Sequence, residues 1–179
     1  MQTVQSQDFS KDEPSFRQNL KVSDCLEIRK VTESTGFFYQ EEVDIAVELV
    51  EERLAKGERS GYNFWIAELD GCVVGYTCFG PIACTRSSFD LFWIVVRGNV
   101  RGKGLGRKLL RLSEETVRKM GGTRLYIETS SRELYEPTRQ FYLGNDYQEE
   151  ARLKNFYAPG DDKVIYVKDL SKEERLSEK

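Results

Sequence analysis

The sequence predicts a domain of the α+β class, of α/β type, and three stretches carry that expectation. Asn63–Leu69 and residues 72–79 are strand-like runs separated by Asp70-Gly71, a dipeptide that readily takes the positive backbone angles of a tight hairpin. Residues 89–96 are nearly all apolar and rich in aromatic and β-branched side chains, which predicts a central strand covered on both faces. Leu105, Leu109, Leu112, Thr116, Val117 and Met120 then fall at helical spacing and stop at Gly121-Gly122, after which residues 125–129 resume strand character. The order here is strand, glycine turn, helix, strand.

The other elements follow from the same periodicities. Residues 25–31 alternate enough for a strand, whereas Val43, Ala46, Val47, Val50 and Leu54 make a helical stripe over 41–56 that Gly57 closes. A short helix is expected over 137–143, then two closing strands at 147–156 and 163–168, with Asn145-Asp146 suited to the turn before them. Residues 1–24 are polar without a sustained period and residues 171–179 are charged, so both read as flexible tails around one domain of residues 25–170. A chain of 179 residues suits one hydrophobic core.

Composition narrows the chemistry. An apolar fraction of 39% against a charged fraction of 32% allows a core inside a well-solvated surface. No apolar run reaches the roughly 18 residues needed to cross a bilayer, and residues 1–13 lack the apolar segment of a signal peptide, so a cytoplasmic protein with no membrane partner is expected. The chain has no histidine, which removes Ser-His and Cys-His nucleophilic machinery. Cys25, Cys72, Cys78 and Cys84 include no Cys-x-x-Cys pair, and no metal site is expected. Proton transfer is left to carboxylate, tyrosine, lysine, thiol or water.

Charge is uneven. The stretch from Arg97 to Lys119 has eight basic residues against Glu114 and Glu115, +6 in all within a chain of net charge −3. Such a stripe attracts phosphates or is simply a solvated helix face. Aromatics are not interleaved with it and the pI is near 5.3, so nucleic acid is not the expected partner.

Within that stripe, Arg101-Gly102-Lys103-Gly104-Leu105-Gly106 stands between the apolar strand and the amphipathic helix, where free backbone N–H groups and the helix dipole favour an anion. A P-loop is ruled out, because Gly98 precedes Gly102-Lys103 by three intervening residues instead of four and Gly104 follows where Ser or Thr is required. A dinucleotide fingerprint belongs near a first strand, and these glycines fall in mid-chain. The segment instead resembles the acyl-CoA signature of the GNAT superfamily of N-acyltransferases, Gln/Arg-x-x-Gly-x-Gly/Ala, at Arg101, Gly104 and Gly106. The resemblance extends over residues 25–170, through the Asp70-Gly71 hairpin and the Phe141-Tyr142 pair.

That resemblance implies a mixed, mostly antiparallel sheet of about six to seven strands, splayed at its centre and flanked by helices. It implies acetyl-CoA as acyl donor, its pyrophosphate held by the main chain of Arg101, Gly102, Lys103, Gly104, Leu105 and Gly106. Arg107 and Lys108 would add phosphate contacts, and the pantetheine arm would pair with Ile94, Val95 and Val96 as an added strand. Tyr135 stands where the family often has asparagine, at a cofactor-contacting position, and would otherwise shape the acceptor pocket with Phe38, Trp65 or Trp93.

Three residues are candidates for proton transfer. An alkyl amine of pKa near 10.4 must lose a proton at a cost of about 4 to 5 kcal/mol at neutral pH. Asp90 lies where several enzymes of this family place a carboxylate base, though a strand-end residue capping the turn after Ser87-Ser88 fits it equally. Glu128 points opposite Leu125 and Ile127 and is the alternative base, or a partner for Ser131 or Arg132. Tyr142 matches the family position of the acid that protonates the departing thiolate, or packs its helix beside Phe141. The expected reaction is direct attack by the amine of a small molecule or peptide, with a non-catalytic acyl-CoA-binding module as the alternative. The acceptor's identity and the oligomeric state stay open, and a homodimer is compatible with the chain.

Overall fold

The structure, a computed structural model, describes residues 13–171. In chain order the elements are β1 (Ser15–Arg17), α1 (Asp24–Glu33), α2 (Gln40–Lys56), β2 (Asn63–Leu69), β3 (Cys72–Pro81), β4 (Ser88–Val96), α3 (Leu105–Lys119), β5 (Arg124–Ser130), α4 (Glu136–Leu143), β6 (Gln148–Ala158) and β7 (Asp161–Asp169). The strands form a seven-stranded mixed sheet in the order β1-β2-β3-β4-β5-β7-β6. The α+β architecture expected from sequence is the one observed. The chain divides into two compact units, residues 13–78 with Trp93–Arg111 and Phe79–Phe92 with residues 112–171.

In the first unit, Asp70 and Gly71 adopt φ values of 52° and 75° and close the β2–β3 hairpin as expected. Ile28 and Val31 of α1, Ala46 and Val50 of α2, Phe64 and Ile66 of β2, Val73, Tyr76 and Cys78 of β3 and Val95 of β4 form one core. A second core of Ala67, Leu69 and Val74 seats Val100, Leu105 and Leu109 around the start of α3. Gly75 is required there, since a Cβ would lie 2.9 Å from the Val95 carbonyl oxygen.

Two expectations fail in this unit. Residues 25–31, expected as a strand, belong to α1. Asp24, Ile28, Val31 and Thr32 are its buried positions, an i, i+4, i+7, i+8 pattern, and a seven-residue window cannot separate that from period two. The stretch expected as an amino-terminal tail also contains β1, which pairs antiparallel with β2 from Ser15↔Glu68 to Arg17↔Ile66. Arg17 explains the order: its guanidinium donates to Asp24 at 2.6 and 2.8 Å and to Glu68 at 2.8 Å. A buried Asp24 between an arginine and the Lys21 N–H locks strand to helix, a long-range device that local polarity hides. Residues 1–12 and 172–179 lie outside the described residues.

In the second unit, β4 pairs parallel with β5 from Ser88↔Arg124 to Leu91↔Ile127. β7 pairs antiparallel with both β5 and β6. β4 runs on to Val96 and β5 to Ser130, past the last paired residues. The expectation of a strand covered on both faces is corrected: Phe89 and Leu91 are buried, but Phe92, the first residue beyond the pairing, is 41% exposed. The α3 stripe ends sooner than expected, with Met120 outside the helix and 47% exposed. Buried Glu114 of α3 accepts from Tyr147 Oη at 3.0 Å and from Lys168 Nζ at 3.0 Å, tying the helix to β7. Among the described residues no helix is long and apolar enough to cross a membrane.

Candidate active site

The glycine turn lies in the first unit. After β4 a short turn of 3-10 helix over Gly98–Val100 leads into residues 101–104, and the Gly104 carbonyl accepts the first helical bond, from Lys108 N at 3.0 Å. The amides of Leu105, Gly106 and Arg107 therefore open α3 with no carbonyl one turn behind them. Gly102 and Gly104 both have φ +79°, a left-handed geometry that favours glycine and that turns the chain sharply enough to present these amides together. Arg101, Gly102, Lys103, Gly104, Arg107 and Lys108 are exposed. The whole arrangement is a cradle for an oxyanion built of main chain, with the positive end of α3 behind it.

Arg101 itself is engaged at both backbone and side chain. The Arg101 amide is already used, donating to the Gly98 carbonyl at 3.4 Å, so the free amides begin after it. The Arg101 side chain bends back: Nε donates to the Val96 carbonyl at 3.1 Å, and the guanidinium lies 4.8 Å over the Phe37 ring. Of the three β4 residues expected to receive the pantetheine arm, Val95 is buried and Ile94 and Val96 are partly exposed. Phe37 was not singled out from sequence, and nothing in the spacing of the segment after α1 marks it as a neighbour of Arg101.

The carboxylates lie in the second unit. Asp90 sits inside β4, two residues after its first, opposite Tyr126 of β5. Its carboxyl is pushed up to about 6, first by burial and then by the negative charge of Glu128, with Lys163 pulling the other way. Glu128 is 47% exposed and pairs with Lys163 at 2.6 Å. That lysine belongs to β7. Lys163 Nζ also lies 4.0 Å over the Phe156 ring. Lys163 was missed because it is remote in sequence. The signal was the β5–β7 register, which pairs Glu128 with Ile165 and Ser130 with Lys163 and so brings Lys163 onto the Glu128 face.

Tyr142 is on α4, as expected, and is 4% exposed. Its ring packs on Tyr147 and Tyr166 with centroids 6.0 and 5.8 Å away, and on Phe141 at 5.6 Å. Burial pushes the phenol well above its ordinary range, with Tyr166 adding to the effect. Arg139 fixes the helix by donating from Nη1 to the carbonyls of Ser130 at 2.7 Å and Arg132 at 2.9 Å. Tyr135 is the residue preceding α4, and the Arg132 guanidinium stands 5.3 Å over its ring.

The acetyltransferase (GNAT) family model matches residues 27–144, well over half of the chain. The chain belongs to the GNAT family. It is 44% identical to a solved GNAT-family protein of Desulfovibrio desulfuricans, with a TM-score of 0.87 over 88% of this chain and 99% of that one. YncA of Salmonella typhimurium, solved with its cofactor acetyl-CoA, is 19% identical with a TM-score of 0.70 over 90% of this chain and 96% of that one, a likeness of fold. Among curated sequences, the uncharacterized N-acetyltransferase YjgM of Escherichia coli is 30% identical over 105 residues, 58% of this chain and 63% of that protein. The match thus spans less than two thirds of the curated relative. Within this GNAT chain, the main-chain cradle falls in the first unit and the titratable side chains fall in the second.

Proposed function

We propose that this chain is an N-acetyltransferase that transfers an acetyl group from acetyl-CoA to a primary amine of a small molecule or peptide by direct attack. The observation that carries the reading is the turn at residues 101–106, where two left-handed glycines open α3 onto unpaired amides. Diphosphate oxygens are the natural occupant of such a cradle. A solved family relative carries acetyl-CoA as its cofactor, which supports the same donor here.

In this reading Ile94, Val95 and Val96 offer backbone to the amide-rich pantetheine arm, Arg107 and Lys108 add charge at the phosphates, and Tyr135 contacts the cofactor arm. Arg101 orders the turn by holding the end of β4 through the Val96 carbonyl. Asp90 is the base: it takes a proton from the ammonium form of the acceptor, and the amine then attacks the thioester carbonyl. The tetrahedral intermediate collapses by breaking the carbon–sulfur bond. Tyr142, kept protonated to high pH by its burial, gives its proton to the departing thiolate, and the surplus proton on the newly acylated nitrogen returns to the Tyr142 phenolate, so that both the amide and the thiol leave neutral. A base that titrates near 6 is ionised at neutral pH yet more basic than an ordinary aspartate. Glu128, already engaged with Lys163, is the weaker candidate.

The test is CoA release across a panel of amines, run with Asp90→Asn, Glu128→Gln and Tyr142→Phe. Turnover with at least one amine class, reduced most by Asp90→Asn, is the expected result. Tight CoA binding without turnover on any amine would instead identify an acyl-CoA-binding module. No calorimetric heat with CoA or acetyl-CoA would remove both readings.

A further inference from the structure

Two carboxylates share one face of the second unit, and among the described residues only one of them has an ionic partner. Asp90 of β4 and Glu128 of β5 come to this face by register, since Asp90 lies opposite Tyr126 and Glu128 is two residues further along. Lys163 of β7 reaches Glu128 Oε2 at 2.6 Å and is only 14% exposed. Its ammonium is further held by the Phe156 ring at 4.0 Å and the Tyr157 ring at 6.0 Å. These rings belong to the end of β6 and are themselves about half exposed, like nearly all of that strand's side chains. An ammonium gripped by a carboxylate and a ring face is a fixed charge.

We propose that Lys163 is a positioning residue that gives the two carboxylates different roles, tying Glu128 into an ion pair and leaving Asp90 free to receive the acceptor's proton. The inference rests on Asp90 being the base. The physical case is that like charges on adjacent strands oppose ionisation of both, so neutralising one side decides which group cycles. Glu128 is tied to Lys163 at 2.6 Å, whereas among the described residues no ion pair reaches Asp90. The charged groups acting on Asp90 are Glu128 from β5 and Lys163 from β7, and they act in opposite directions.

The arrangement makes signed demands on the pH profile. Removing the lysine charge in Lys163→Met strips attraction from the Asp90 carboxylate, so its titration and the acidic limb of kcat/KM move to higher pH, by about half a unit or more. Glu128→Gln removes repulsion and moves both to lower pH. Lys163→Arg keeps the charge and returns the limb to its original position. Asp90 is followed directly by carbon-13 NMR titration of the unliganded protein, and thermal melting confirms that each variant is folded.

Opposite shifts in Lys163→Met and Glu128→Gln, with rescue by arginine, support the proposal. An Asp90 titration that stays put in folded Lys163→Met overturns it whatever the kinetics show. If the titration moves as described but Asp90→Asn keeps full turnover, Asp90 is not the base, and the division of roles falls with that reading, while the electrostatic coupling survives as a measured fact.

Discussion

The glycine turn and the carboxylate face solve their tasks with different materials. The turn in the first unit presents backbone amides, and its functional groups are the same whatever side chains surround them. The face in the second unit is made of side chains from strands that are neighbours in space but far apart in sequence: Asp90, Glu128 and Lys163. A site of main chain depends on local conformation, and so on glycine. A site of side chains depends on register and on mutual charge. The first should tolerate loss of individual side chains, and the second should not.

The sharpest way to break that contrast is Asp90→Asn. We expect kcat to fall by about 10²- to 10⁴-fold, the range for loss of a positioned base. In the intact protein kcat/KM should drop on the acidic side of pH 6, because the base works only when deprotonated and its carboxyl is held near that value. The same substitution should raise Tm at pH 7. A carboxyl pushed up in the folded state opposes folding once it is charged, a penalty that fades as pH falls through about 6 and is gone below the group's ordinary value. A loss of both activity and stability would argue for a structural Asp90.

Tyr142→Phe should lower kcat by about 10²-fold at most, since a thiolate of pKa near 8.5 leaves tolerably without help. The packing on Tyr147 and Tyr166 is kept by phenylalanine, so Tm should hardly move. Gly104→Val tests the main-chain cradle. Forcing a β-branched residue to φ +79° costs about 1 to 3 kcal/mol, so CoA affinity measured by calorimetry should weaken about tenfold to a hundredfold as the turn relaxes. Smallest of all, Lys103→Ala removes one exposed charge, worth about 0.2 to 1 kcal/mol, and should change CoA affinity by no more than about fivefold, less at high salt. An effect of Lys103→Ala larger than that of Gly104→Val would reverse the comparison.

The candidate site was legible in proportion to how local it is. Arg101, Gly104 and Gly106 stand within six residues, between a strand and a helix whose periodicities are plain, and the turn is where the sequence puts it. Tyr142 follows from its place on a short helix. The partner of Glu128 could not be read, because Lys163 is 35 positions away and becomes a neighbour only through the β5–β7 register. The Arg101 side chain turns back to Val96 and Phe37, two contacts no spacing rule encodes.

By itself the sequence settled the hairpin at Asp70-Gly71, the helix at 41–56, the helix that starts at Leu105 and the glycine turn before it, since glycine conformation and side-chain periodicity act over a few residues and need no fold to express themselves. Tertiary structure decided that residues 24–33 are helix, that Ser15–Arg17 joins the sheet, and which carboxylate has a lysine. Those outcomes depend on burial against distant elements and on Coulomb forces between groups brought together by strand pairing, and such energies exist only once the chain has folded.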